Sequence, residues 1–565
     1  MPNQIGTSAR KWHEEIVPFA AGDGLACNLL HVRGERAPTK GPVLLVHGAG
    51  VRANIFRAPV QSTLVDVLAD HGYDVWLENW RASIDFAPNL WTLDQAAVHD
   101  HPAAVRKVVE KTGKQEVKAV IHCQGSTSFM MSAVAGLVPQ VTTIVSNAVS
   151  LHPVVPWISD VKGKLAVPMV SLFTNYLNPQ WGLQADGWFP KFVKAFVELT
   201  HRECDNGVCR QVSFTYGTGW PTLWSHENLD DQTHEWMKQE FKHVPMRFFR
   251  QMAQCLSKGN LVAVENFGQL PRDFVAQAPK TAARLAFLAG EDNRCFLAES
   301  QVRTYDFFQR ERRDYHSLNV LPGYGHLDIF MGKNAAKEVF PVILEELERP
   351  DSGAPKTVVP GAALVRSASS GITFRETMAG FFALGETDPL AGARKAEQSG
   401  TRLAMHASID IEDIDAFIAD PQHRGGLAGR VDFTPFANGI PAPSGVFQLF
   451  APGDEPGLKW MVYELAFEHG GKRYYLAGKK HVRTSSIFRM WSETTTLYTR
   501  LHEGPDASGP VVGAGVLTLG VSDLLKLMST FYPTGTRKLR AARRFTGFFA
   551  KELWRSYVLK QGARP

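Results

Sequence analysis

Val117 to Thr127 reads VKAVIHCQGST. The apolar, β-branched run from Val117 to Ile121 predicts a buried strand. The residues from Ser126 to Gly136 are compatible with a helix, so a tight turn joins the two at Cys123. This is the layout of a nucleophile elbow, usually G-x-S-x-G, with the nucleophile on a strained strand-to-helix turn. Here the five positions are Ile121, His122, Cys123, Gln124 and Gly125. The nucleophile position therefore holds a thiol. The turn lifts the sulfur clear of the sheet, and the helix N-terminus favours negative charge on a thiolate or an oxyanion. An ordinary thiol ionises near pH ~8.5, and a helix N-terminus or an imidazole lowers that value. The competing reading of Cys123 is a buried structural thiol, the commoner fate of a free cysteine. The residues flanking this stretch decide between the two.

Upstream, Pro42 to Val46 (PVLLV) predicts a strand that ends in His47-Gly48-Ala49-Gly50. A His-Gly loop after an early strand supplies an oxyanion donor, so the candidate donors are the N–H groups of Gln124 and Ala49. Gly72 to Leu77 (GYDVWL) predicts a strand leading into Glu78-Asn79-Trp80-Arg81. Asp100 to Thr112 predicts a helix with Pro102 in its first turn, and Thr142 to Ser146 is the next strand. Strand alternating with helix predicts the α/β class with a parallel sheet. Between Asn147 and Lys280 the alternation stops. That stretch is rich in aromatics, including Trp181, Trp188, Trp220, Trp224 and Trp236. It predicts a helical cap over about 148–280, whose aromatics form the cap's own core or line an acyl pocket.

The sheet resumes at Ala283 to Ala289 and ends in Gly290-Glu291-Asp292-Asn293. A carboxylate beyond this late strand is the expected triad acid. Asp292 is the candidate and Glu291 the fallback. A last strand, Ser317 to Val320, leads to Gly323-Tyr324-Gly325-His326, which puts the base at His326. The order Cys123, Asp292, His326 is the nucleophile, acid, base order of α/β-hydrolases. His122 is expected to turn away from Cys123 and serve packing.

Residues from about 15 to 347 resemble the acid lipase family of α/β-hydrolases, the gastric and lysosomal lipases. The resemblance is carried by Gly72-Tyr73-Asp74-Val75-Trp76-Leu77 with Asn79 and Arg81, by His122-Cys123-Gln124-Gly125-Ser126-Thr127 against that family's H-S-Q-G-T, and by His326-Leu327-Asp328. It implies an α/β-hydrolase fold with a helical cap, a triad at Cys123, Asp292 and His326, and hydrophobic ester substrates. Two departures stand out. Serine has become cysteine, and the first elbow glycine has become Ile121, which should cost backbone freedom at a strained turn. Dienelactone hydrolases and polyhydroxyalkanoate synthases resemble this chain in using a cysteine elbow.

A Pro/Gly/Ser stretch around 349–365 predicts a linker. Residues 366–565 then predict a β-rich (α+β) domain with antiparallel hairpins. This half resembles the F-x-E-T-M-x-G module found beside cholesterol-oxidase-type oxidoreductases. The resemblance rests on Phe374-Arg375-Glu376-Thr377-Met378-Ala379-Gly380, on Tyr475-Leu476-Ala477-Gly478-Lys479-Lys480 and on Trp491 to Tyr498. It implies a structural or lipid-docking role, with an oxidoreductase as a candidate partner. No dinucleotide-binding G-x-G-x-x-G is found.

Six cysteines among 565 residues show no C-x-x-C pair. A zinc site is therefore not expected, and Cys204 and Cys209 are read as two thiols rather than a disulfide. His406, His423, His469 and His481 also lack metal-ligand spacing. The reading has no metal and no cofactor. A formal net charge of +5 is too small for a nucleic-acid partner. The N-terminus has no apolar signal core, and no run reaches the ~18 apolar residues that span a membrane, so a cytoplasmic location is expected. The tail Arg537 to Lys560 mixes basic and aromatic residues. It reads as a peripheral membrane contact or as a helix docked on its own domain.

The expected function is a cysteine-dependent hydrolase that forms a thioester acyl-enzyme on a hydrophobic ester, lactone or thioester. Two alternatives stand beside it. One is an acyltransferase or cyclase using an alcohol or amine acceptor. The other is a non-catalytic carrier of a lipid or sterol.

Overall fold

The computed structural model describes residues 12–34, 36–201, 204–217, 223–350, 357–358, 371–455, 458–483, 494–519, 532–533, 544–549 and 552. The chain divides into two compact units, Met1–Val359 and Pro360–Pro565. Most of the expected linker, Trp220, Trp491 to Glu493 and most of the basic tail lie outside the described residues.

In the first unit, eight strands form one sheet: β1 (His13–Ala20), β2 (Ala26–Arg33), β3 (Pro42–Val46), β4 (Asp74–Asn79), β5 (Val117–His122), β6 (Val141–Asn147), β7 (Arg284–Gly290) and β8 (Ser317–Leu321). Their order is β1-β2-β4-β3-β5-β6-β7-β8, with Thr357–Val358 added beyond β8. Strands β3 to β8 run parallel, while β2 pairs antiparallel with both β1 and β4. Every residue of β3 is buried. A strand covered on both faces reads as a continuous apolar run, which is why PVLLV was legible.

Helices cover both faces. Helix α1 (Leu64–Asp70) starts with a capping box in which Thr63 and Asp66 exchange hydrogen bonds. Helix α2 (His101–Thr112) stops at Gly113, whose φ is +68°. Helix α3 (Cys123–Val134) is buried over its whole length. Arg81 clamps the β4 exit to α2 through hydrogen bonds from its guanidinium to Asp100 and Asp23. The resemblance residues Asn79 and Arg81 are thus scaffold: Asn79 Oδ1 accepts from the Ala53 N–H and the Ser83 hydroxyl.

The cap is inserted between β6 and β7. It contains α4 (Trp157–Val170), α5 (Trp188–Thr200), α6 (Gly207–Tyr216), α7 (Asp231–Trp236) and α8 (Met246–Lys258). Its aromatics divide as the sequence left open. Phe189, Trp224 and Phe248 are buried, whereas Trp188, Phe192 and Phe196 on α5 are exposed, as are Leu172 and Phe173 just after α4.

The second unit is an eight-stranded antiparallel barrel. Its strands are β9 (Ile372–Leu384), β10 (Arg402–Ile411), β11 (Arg424–Phe433), β12 (Ala437–Pro452), β13 (Leu458–His469), β14 (Lys472–Arg483), β15 (Thr496–Glu503) and β16 (Val511–Thr518). Each pairs with the next, and β9 closes the ring by pairing with both β10 and β16. Closure removes the exposed edges of an open sheet. Alternate residues of β9 point inward, from Ile372 through Phe374, Glu376 and Met378. The described part of the tail, 544–549, is helical and buries Phe545 and Phe548 in the barrel's own core. Those two side chains are therefore not presented to a bilayer.

Candidate active site

Strand β5 delivers Cys123, the first residue of α3, with φ at +54°. That left-handed conformation is strained for a residue with a Cβ and points the side chain out of the turn. Ile121 does not carry the strain. It stays in β5, in register with Val46 and Ser146. The expected cost of replacing the first elbow glycine is absent, because the positive φ falls on Cys123. Space is the other requirement. A Cβ on Gly48 would come 2.9 Å from the Cys123 Cβ, and one on Gly125 would collide with the His47 carbonyl.

The loop after β8 brings His326 to the sulfur. The ligand atoms of His122, Cys123 and His326 all lie within 4.8 Å of one another, and all three residues are buried. His122 therefore does not turn away. Its ring sits 4.7 Å from that of His326, and its Nδ1 accepts from Asn147 Nδ2 at 2.9 Å. Burial, and next the His326 and His47 rings, hold His122 well below its ordinary value, so it stays uncharged beside His326.

The third position differs from expectation. The side chain on His326 Nδ1 is Asn293, through Nδ2 at 3.1 Å. The orientation of this amide is fixed by its other end. Asn293 Oδ1 accepts the N–H groups of Cys295 at 3.0 Å and Phe296 at 3.1 Å. With the oxygen engaged by two donors, the NH₂ faces the ring. Asp292, the expected acid, is half-buried and donates its backbone N–H to the Tyr324 carbonyl. Glu291 is also half-buried, its N–H given to Leu321. The clue in the sequence was an asparagine followed two and three residues later by residues whose N–H groups it can cap, a self-bonded turn rather than a free carboxylate.

A fourth residue, Cys295, was not singled out. Burial would push the Cys123 thiol up. The Cys295 S–H, His326 and the Gln124 N–H oppose burial and hold Cys123 well below the ordinary thiol range. Cys295 moves the opposite way, because burial and the neighbouring sulfur keep it protonated as a donor. The Gln124 N–H lies in the first turn of α3, where no intrahelical acceptor exists. Ala49, the other expected donor, is buried, and its carbonyl accepts the Tyr216 hydroxyl at 2.9 Å.

A cavity of about 120 Å³ adjoins this cluster. Its lining joins Gln124, Cys295 and Phe296 to cap residues such as Phe248 and Met252. Lys162 from α4 also reaches its wall, where burial lowers it to about 7, with its ammonium donating to the Phe214 and Gly217 carbonyls. A second cluster, Cys204, Cys209, His226 and His234, lies in the cap. No zinc site was expected here, because the sequence has no C-x-x-C pair.

The strand order, the positive-φ elbow and the capped parallel sheet define an α/β-hydrolase fold. Residues 41–202 match the alpha/beta hydrolase fold family. Among curated proteins, Lipase member K of Mus musculus is 24% identical over 337 residues, covering 55% of this chain and 80% of that protein. Gastric triacylglycerol lipase of Rattus norvegicus is 37% identical over 101 residues, covering 16% of this chain and 26% of that protein. A solved structure of DcsB with a substrate analogue is 13% identical at a TM-score of 0.38, covering 59% of this chain and 99% of that one.

Proposed function

We propose that the first unit is a thiol-dependent esterase or thioesterase for hydrophobic acyl substrates. The observation that carries this reading is Cys123 itself, held at φ +54° on a helix N-terminus, beside a buried imidazole and at an apolar cavity. Similarity to lipases supports the substrate class. So do the exposed apolar side chains of α5, which suit contact with a lipid phase.

The Cys123 thiolate attacks the acyl carbon. A C–S bond forms, and the carbonyl π pair moves to oxygen, where the N–H groups of Gln124 and Ala49 receive it. Collapse restores the C=O and expels the leaving group with its electron pair, leaving a thioester on Cys123. Release to water is the demanding half. A water must give its proton to an imidazole nitrogen that carries a lone pair. In the uncharged ring, Asn293 donates to Nδ1, so Nδ1 holds the lone pair and Nε2 holds the proton. Turnover then requires Asn293 to release its hold on Nδ1, which breaks the bonds from Cys295 and Phe296. Deacylation is accordingly the slow step and the thioester accumulates. An alcohol or amine that attacks faster than water would divert the same intermediate, which is the acyltransfer reading.

The test is intact mass after brief exposure to a series of acyl esters and thioesters. An adduct of one acyl group on Cys123, absent in Cys123→Ala and cleared by water, supports hydrolysis. An adduct that persists until an alcohol or amine is added supports transfer. A folded protein that takes no acyl group from any donor overturns both.

A further inference from the structure

In the cap, Cys204, Cys209, His226 and His234 each contribute one ligand atom, and the four atoms lie within 4.8 Å of one another. They come from three separate pieces of chain. Cys204 precedes α6 and Cys209 lies in its first turn. His226 sits in the short 3-10 turn His226–Asn228, and His234 lies on α7. We propose that these four side chains bind one zinc ion, a structural site separate from the Cys123 centre.

The chemistry of the set fits. Two thiolates and two imidazoles are a complete tetrahedral ligand set, and two negative charges balance the ion. The spacing fits as well. Zn–S near 2.3 Å and Zn–N near 2.05 Å at tetrahedral angles place sulfur and nitrogen about 3.6 Å apart. Cys209 Sγ and His226 Nε2 are 3.5 Å apart. The two histidine rings stand 4.8 Å apart and nearly perpendicular, so that their edges can converge on one point. His234 Nε2 is buried and has no hydrogen-bond partner among the described residues. A buried ring nitrogen left without a partner calls for a ligand. Binding the ion takes both sulfurs as thiolates, so loading the site releases thiol protons to solvent.

The backbone around the cluster is set as a scaffold. Asn206 accepts the N–H groups of Val208 and Cys209, which fixes the start of α6, and it donates to the His234 carbonyl at 3.1 Å. What the ion would fasten is also visible. Beside His226, Asn228 donates to the Gly323 carbonyl at 2.8 Å and to Asp328 at 2.7 Å, and the Ser225 N–H donates to Asp328 as well. Leu327 donates its N–H to Leu223. These bonds hold the loop that carries His326. At the far end of α6, Tyr216 holds the Ala49 carbonyl. One ion therefore ties together the two cap segments that brace the base and the second oxyanion donor. The linear spacing, C-x4-C-x16-H-x7-H, hid the set because its ligands lie on three elements.

The experiment is metal analysis of the full-length protein after exhaustive dialysis, together with chelator stripping and reloading with zinc or cobalt. The expected result is about one zinc per chain in the wild type and less than about 0.2 in Cys204→Ser and His234→Ala. Cys255→Ser, a buried cysteine outside the cluster, should keep its zinc. Cobalt-loaded wild type should show thiolate-to-cobalt charge transfer that Cys204→Ser lacks. Chelation should lower the melting temperature of the wild type, with recovery on zinc addition, which keeps the test open if a variant fails to accumulate. Wild type that takes up no stoichiometric zinc, and whose melting temperature ignores chelator, overturns the proposal. So does a mass 2 Da low that maps to a Cys204–Cys209 disulfide. These readouts do not depend on acyl chemistry at Cys123, so the two proposals fail separately.

Discussion

At the scale of single residues, the centre turns on which atom faces each side of His326. An aspartate that accepts an Nδ1–H leaves the lone pair on Nε2, where a general base needs it. Asn293 does the reverse. Asn293→Asp should therefore accelerate deacylation. Its Oδ1 can keep the bonds from Cys295 and Phe296 while Oδ2 accepts from Nδ1. An increase on the order of 10² in thioester hydrolysis is expected, from the size of tautomer effects in triads, with little change in the acylation burst. Stopped-flow turnover of a chromogenic thioester separates the two phases, and an unchanged slow phase would show that Asn293 does not hold the proton on Nε2. Cys295 is tested through pH. The depressed Cys123 keeps its thiolate as pH falls below the range of ordinary thiols, so wild-type alkylation should stay fast at pH 6. Removing the donor in Cys295→Ala raises the Cys123 pKa. Once the raised pKa passes 6, the rate at pH 6 should fall about tenfold, relative to pH 8, for each further unit of rise up to 8. Equal profiles for the two proteins would remove Cys295 from the centre.

At the scale of elements, the elbow, the His-Gly loop and the late histidine loop were legible because each follows a strand buried on both faces, and such strands announce themselves as apolar runs. The third triad position was not. Asp292 and Asn293 are neighbours in one turn, and only the hydrogen bonds decide which side chain meets the ring. The barrel was half legible. His469-Gly470-Gly471 marks the turn between β13 and β14 in the sequence, and both glycines take positive φ there, while β10 and β11 carry no such signal. Gly425, Gly426 and Gly429 break the β11 pattern, and a Cβ on Gly429 would strike the His406 carbonyl, so the glycine serves close strand approach rather than a turn. The His326 loop offers an element-scale test. Asp328 is pushed up to about 6 by burial, although Asn228 and the Gly325 and Ser225 N–H groups favour its charge. A folded pKa above the ~3.8–3.9 of an unfolded aspartate means that the native state binds the extra proton. Its contribution thus weakens stability as pH rises from about 4 to about 6, and is constant above. Asp328→Asn removes this dependence. It also turns an NH₂ toward donors on one side, so Cys123 acylation should slow while the melting temperature near pH 7 changes by only a few degrees. Acylation at the wild-type rate would show that the loop holds His326 without Asp328.

At the scale of the whole molecule, two hydrophobic cores are built separately, one under the parallel sheet and one inside the barrel. The barrel core contains a polar group that its size does not explain. Glu376 accepts from Lys480 Nζ at 2.8 Å and from the Tyr463 hydroxyl at 2.8 Å, and the glutamate and lysine side chains are each 2% exposed. The glutamate of F-R-E-T-M and the second lysine of A-G-K-K thus meet inside the barrel, from strands far apart in sequence. A buried pair adds little net stability over apolar residues of the same shape, but breaking it leaves an uncompensated charge in the core. Glu376→Ala should therefore cost the second unit on the order of 3 kcal/mol. A calorimetric scan should show one transition moved down by several degrees and the other unmoved. Cys123 acylation at 25 °C should be unchanged on the proposed reading, because Cys123 lies in the first core. A double replacement, Glu376→Met with Lys480→Met, should recover most of the loss, since both charges leave together. If the double variant stays as unstable as the single one, the pair holds the barrel's packing in a way that apolar side chains cannot replace.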